Sequence, residues 1–101
     1  MKKRYKTMQA RGQRMKGEAY RQLPDGQRTA FVVGMCEMLQ IVALYTEGES
    51  KENIDKMLDY EGRLSDEELR IRFDQYVNAK NTAPADQASG LFFRALYEWC
   101  N

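Results

Sequence analysis

The sequence predicts an all-α fold, a single small domain of four to five helices packed around a central hydrophobic helix at about residues 26–46. Three observations carry that expectation. Between Ala30 and Tyr45 the apolar residues Phe31, Val32, Val33, Met35, Cys36, Met38, Leu39, Ile41, Val42 and Leu44 cover nearly the whole circumference of a helix. A helix that is apolar all round is expected to be enclosed by other elements. The run Ser65-Asp-Glu-Glu68 reads as a capping box, the strongest helix-start signal in the chain. No segment shows a sustained alternating period or an Asn-Gly hairpin, so no strand is expected.

The elements follow in order. Residues 1–7 form a basic arm expected to be flexible, and residues 8–101 the helical domain. A first helix is expected within 8–22, where Met8, Met15, Ala19 and Tyr20 are the apolar points and Gly12 and Gly17 weaken it. Leu23-Pro24-Asp25-Gly26 is a break: proline ends the preceding helix and Asp25 caps the next. The central helix, at about 16 core residues with Glu37 and Gln40 inside it, is too short and too polar for a membrane span. Glu47-Gly48-Glu49-Ser50 is a polar turn, with Gly48 suited to a helix C-terminus and Ser50 to the cap of a short helix over 51–60. In the next helix Leu64 and Leu69 occupy the staple positions. Asp66–Arg70 and Glu68–Arg72 have the spacing of helix-surface ion pairs, each worth a few tenths of a kcal/mol. Residues 78–84 form a loop, with Thr82 or Ala83 capping and Pro84 in the first turn of a last helix over 84–100. Ala88 and Ala95 are small enough to let that helix approach the central one.

Composition narrows the function. The chain has 101 residues, 43% hydrophobic and 31% charged, with net charge +1, enough for one core and not for two. The near-neutral total hides an asymmetry. Residues 1–22 carry eight Lys/Arg against Glu18, whereas the other 79 residues carry eight basic groups against fourteen acidic ones. A basic arm precedes an acidic body. There is no histidine, which removes the commonest general base and metal ligand. Two cysteines cannot make a zinc site. They either close one disulfide, worth roughly 4 kcal/mol over so long a loop, or Cys36 serves as a small apolar thiol.

No catalytic set is recognisable. Asp55, Asp59, Glu61, Asp66, Glu67, Glu68 and Asp74 fall on polar helix faces and N-termini, where solvated roles are expected rather than the facing pair of a glycosidase. No calcium loop or Gly-rich phosphate loop accompanies them. The expectation is a protein that is not an enzyme, with no cofactor and no metal.

Two binding functions remain. The arm residues Lys2, Lys3, Arg4, Lys6, Arg11, Arg14 and Lys16, with Tyr5 for stacking, suit a nucleic-acid phosphate backbone. That is the alternative, a nucleic-acid-associated accessory protein. The favoured expectation is protein binding, because six methionines and eleven aromatics exceed what so small a core needs and make adaptable contact surface. An acidic stretch from 47 to 74 suits a basic partner. The contact residues expected are Glu49, Glu52, Asp59, Tyr60 and Glu61. Such a protein blocks a partner by occupying its surface; the profile is shared by a phage- or plasmid-encoded inhibitor of a host defence complex. A homodimer is the further association considered. The basic start is followed by no apolar run before residue 30, so the chain as numbered reads as cytoplasmic, or periplasmic if a signal peptide preceded it.

Two stretches also resemble a known family. Leu23-Pro-Asp-Gly-Gln-Arg-Thr-Ala-Phe-Val-Val-Gly-Met35 is similar to the opening of the first core helix of the helical Rap/Tai-type immunity proteins. Leu69 to Val77, then Ala85 to Cys100 with Ala88, Leu91, Ala95-Leu96 and the terminal Cys, resembles their closing helix pair. Together these cover roughly 40 residues in the same order. The resemblance implies a small all-α, non-enzymatic protein that binds and blocks a cell-wall-cleaving effector delivered by a type VI secretion system. The family is typically exported and disulfide-bonded, and Cys36 departs from its expected loop position.

Overall fold

The structure, a computed structural model, describes residues 15–79 and 86–101. Among them are five helices, α1 (Gly17–Arg21), α2 (Asp25–Leu44), α3 (Gly48–Gly62), α4 (Asp66–Ala79) and α5 (Ala88–Cys100), and no strand. The all-α reading holds. One isolated antiparallel bridge pairs Lys16 with Gln87. There the Gly17 amide donates to the Asp86 carbonyl and the Ala88 amide to the Met15 carbonyl, each at 2.7 Å. Gly17 therefore does not weaken a helix interior. It opens one, buried where two backbones meet.

Helix boundaries follow local chemistry. The Pro24 carbonyl accepts from the amides of Gln27 and Arg28, both at 3.0 Å, starting α2 one residue ahead of the expected cap. Gly48 joins α2 to α3 at φ +71°, a left-handed conformation that glycine alone adopts without penalty. A Cβ there would meet nothing within 4 Å, so the requirement is conformational rather than steric. Helix α3 begins at this glycine with Glu47 as its cap residue, so Ser50 lies inside the first turn and does not cap. The capping box forms as expected. The Glu68 amide donates to Ser65 Oγ at 3.1 Å, and the Ser65 amide to Glu68 Oε1 at 3.2 Å. These bonds hold the Glu68 carboxyl below its ordinary pKa. Helix α5 starts at Ala88 after Gln87, later than expected; Thr82, Ala83 and Pro84 lie outside the described residues, as do residues 1–14.

The core sits between α4 and α5. Phe73 and Phe92 meet edge to face with centroids 5.2 Å apart, and Tyr20 lies 5.0 Å from Phe73 and 5.3 Å from Phe31. Aromatic pairs in this range contribute beyond the area they bury. They tie four helices together. Helix α5 packs against each of the other four, most extensively against α3. It buries Ala88, Leu91, Phe92, Ala95 and Leu96 completely or nearly so.

The expected enclosure of residues 26–46 is corrected here. Helix α2 buries only Val32, Leu39 and Ala43. Met38, Ile41, Val42, Leu44 and Tyr45 are exposed, Leu44 at 79% and Tyr45 at 83%. Helices α3, α4 and α5 all approach α2, and its three buried residues share one side of the helix. Helix α5 buries the larger share of its length, and its alanines allow close neighbours.

Candidate functional site

Of the five residues expected at a protein contact, four are on the surface or at its edge. Glu49, Glu52 and Asp59 are exposed on α3, and Tyr60 is half-buried. Asp59 pairs with Arg63 one turn on, and Lys51 with Asp55 at 3.5 Å. Glu61 is the exception. It is 8% exposed, and its Oε2 has no hydrogen-bond partner. Burial pushes the Glu61 carboxyl above its usual range, with the nearby Asp66 adding to the shift and the Cys36 thiol, bonded to it, opposing it. Glu61 lies seven residues after Ile54 and four after Met57, both packed at the core, so helical periodicity already set it on the buried side. A solvated role is therefore corrected for Glu61.

Cys36 and Cys100 are both free. Burial first, then the Glu61 carboxylate, drives the Cys36 thiol far above its ordinary pKa. A thiol held protonated is the reverse of an activated nucleophile. Asp74, also expected in solvent, is the hub of a half-sealed network instead. Its carboxylate accepts from Tyr20 Oη at 2.7 Å, Arg28 at 2.6 Å and Arg70 at 3.0 Å. The three charged side chains are 11–18% exposed. Arg70 thus pairs forward with Asp74, not back to Asp66. Two guanidiniums neutralise Asp74, which suits it to joining α1, α2 and α4 rather than to proton transfer.

One surface gathers the residue types that dominate protein contacts. Trp99, near the end of α5, stacks on Tyr60 of α3 with centroids 5.8 Å apart and 28° between planes, and meets Tyr76 of α4 edge-on at 5.9 Å. Arg72 donates to Tyr60 Oη at 2.8 Å in place of the expected ion pair with Glu68. The Tyr76 hydroxyl donates to Glu98 at 2.8 Å; burial and that carboxylate push it up to about 12. Two hollows flank Trp99. One of about 530 Å³ is lined by Glu68, Ile71, Arg72, Gln75, Tyr76 and Trp99. The other, about 370 Å³, is lined by Lys56, Asp59, Tyr60, Arg63, Trp99 and Cys100. Glu49, Glu52, Lys56, Asp59 and Arg63 recur every three or four residues, so one face of α3 carries the charges up to this groove. Sequence reasoning placed Tyr60 and Asp59 here and missed Arg72, Ile71 and Trp99. Trp99 continues the apolar stripe of α5, and nothing in its spacing marks it as half exposed.

Of the basic arm, Lys2, Lys3, Arg4, Lys6, Arg11 and Arg14 lie outside the described residues; Lys16 is exposed. Among the described residues no group of three or more His, Cys, Asp or Glu is arranged to hold a metal, and no helix is long and apolar enough to cross a membrane. Comparison with protein-family models, with curated proteins and with solved structures finds no match.

Proposed function

We propose that this chain is a non-enzymatic binding protein that blocks another protein by occupying its surface, as an inhibitor or immunity factor does, with the Trp99 groove as its contact surface. The observation that carries this reading is the clustering of Trp99, Tyr60, Tyr76 and Arg72 along the two open hollows that flank Trp99. Trp, Tyr and Arg are the residues enriched where a few side chains supply most of a binding energy. The partner is a protein (a toxin, an effector or a defence complex) that inserts an apolar side chain beside Ile71 and Trp99 and offers a carboxylate to Arg72. The exposed Glu49 and Glu52, at the other end of α3 from Tyr60, favour partners that carry basic residues away from that anchor. The resemblance of residues 23–35, 69–77 and 85–100 to Rap/Tai-type immunity proteins supports the same mode of action.

The test compares affinity capture by the wild type with capture by Arg72→Glu and Ile71→Asp, at moderate salt with nuclease present. The expected result is one stoichiometric protein partner that survives nuclease and is lost with either substitution. Capture that both substitutions leave unchanged contradicts the groove. Capture that vanishes with nuclease moves the function to Lys2, Lys3, Arg4, Lys6, Arg11, Arg14 and Lys16.

A further inference from the structure

The outer face of α2 shares no residue with the Trp99 groove and is apolar along its length. Exposed Ala30, Gly34, Met38 and Ile41, with Tyr45 that ends the helix, lie on the side opposite Val32, Leu39 and Ala43, and exposed Val42 and Leu44 flank them. Only Glu37 brings a charge to it. Contiguous apolar patches of this kind mark interaction sites. Along its centre run Gly34, Met38, Ile41 and Tyr45, spaced four, three and four residues apart. That is the alternation of a coiled-coil seam, in which side chains of one helix enter gaps of another.

We propose that a second copy of this chain covers the face, through an antiparallel α2–α2 seam. The spacing reads the same in both directions, so a two-fold axis between Met38 and Ile41 maps the seam onto itself. An isologous dimer requires that property; an unrelated partner does not. The register that sets Met38 against Ile41 of the partner subunit also sets Gly34 against Tyr45 of the partner subunit. The sizes match: Tyr45 is 83% exposed, and a Cβ on Gly34 would meet nothing within 4 Å, leaving room for the ring. The same register faces Glu37 with Leu44 of the partner subunit, not with a second carboxylate, so no like charges oppose. From their fractional exposures, Met38, Ile41, Val42, Leu44 and Tyr45 offer on the order of 600 Å² per copy, and two copies reach the lower end of the ~1,200–2,000 Å² that specific interfaces bury. An interface at that lower end is expected to be a weak one, and the dimer gives a particle with two Trp99 grooves.

Sedimentation velocity on the full chain, from about 1 to 200 μM, tests the association, and mixed disulfides test the register. The wild type is expected to pass from monomer to dimer over that range. Ile41→Asp, a surface change that leaves the helical circular dichroism intact, is expected to raise the dissociation constant about 30-fold or more. In chains carrying Cys36→Ser and Cys100→Ser, Gly34→Cys protein mixed with Tyr45→Cys protein is expected to give the mixed disulfide far in excess of either homodisulfide. A wild type that stays monomeric at 200 μM, or a dimer indifferent to Ile41→Asp, overturns the proposal. So do homodisulfides of Gly34→Cys, which report a parallel seam, and a dimer that forms no disulfide at all. Loss of partner capture in Arg72→Glu leaves each of these outcomes unaffected, so the two readings fail separately.

Discussion

Helices α2 and α5 hold much of the chain's apolar side chain, and the fold uses them differently. Helix α5 buries five of its thirteen residues and keeps Gly90, Arg94, Tyr97 and Glu98 outside. Helix α2 buries three of twenty and leaves Met38, Ile41, Val42 and Leu44 exposed, with Tyr45 just past its end. The shorter helix buries the larger share because its small residues let neighbours close on it and its polar side is already facing out. The longer one has two apolar faces and, among the described residues, neighbours for one. Apolar content states how much surface wants to leave water; it does not state which part finds cover within the same chain.

Substitutions that strike one side of this contrast sharpen it. The largest effect is expected from Phe92→Ala on α5. Phe92 has no exposed surface and abuts Phe73 and Phe93, so urea denaturation should report a loss of about 4 kcal/mol. That is most of the stability of a small domain. Asp74→Asn follows at about 2 kcal/mol by the same measurement, because it removes the half-buried charge that Arg28 and Arg70 share and leaves them their exposed partners Asp25 and Glu67. A loss under about 1 kcal/mol would show that the network is not what holds α1 and the inner side of α2 to α4.

Glu61→Gln has the opposite sign and depends on pH. Since the folded carboxyl holds its proton more tightly than the unfolded one, folding takes up a proton between the two pKa values. The contribution is complete below the unfolded pKa and is lost as pH rises through the folded one. The amide side chain has no charge to bury, so the variant should be more stable than the wild type by about 1 kcal/mol at pH 7. The gain should shrink on acidification and disappear below about pH 4.5. Melting temperatures across pH 4–8 read it directly.

What was legible in the sequence was local. Ser65 and Glu68 are three residues apart, and their box needs nothing but one another and the helix they start. The break at Pro24 and the turn at Gly48 are equally short-range. Ile54, Met57 and Glu61 share a period too, but the expectation for Glu61 follows its charge into solvent rather than that period, and the structure buries it. The Asp74 hub was not legible: its bonds to Tyr20 and Arg28 span 54 and 46 residues, and no spacing rule links them. The Trp99 groove likewise joins three helices through Tyr60, Arg72 and Tyr76. The enclosure of α2 failed for a different reason. An all-apolar helix predicts that something covers each face, without saying whether that cover comes from the same chain.

The most direct measurement places one serine on each face of α2. Val32→Ser and Ile41→Ser would be compared by urea denaturation at about 1 μM, where the proposed dimer is dissociated. Val32 has no exposed surface and Ile41 is 51% exposed. Val32→Ser should cost about 2 kcal/mol or more, while Ile41→Ser should stay within about 0.5 kcal/mol. Equal losses at the two positions would mean that the fold itself covers the outer face, and the account of α2 as a helix with one face kept for a partner would be wrong.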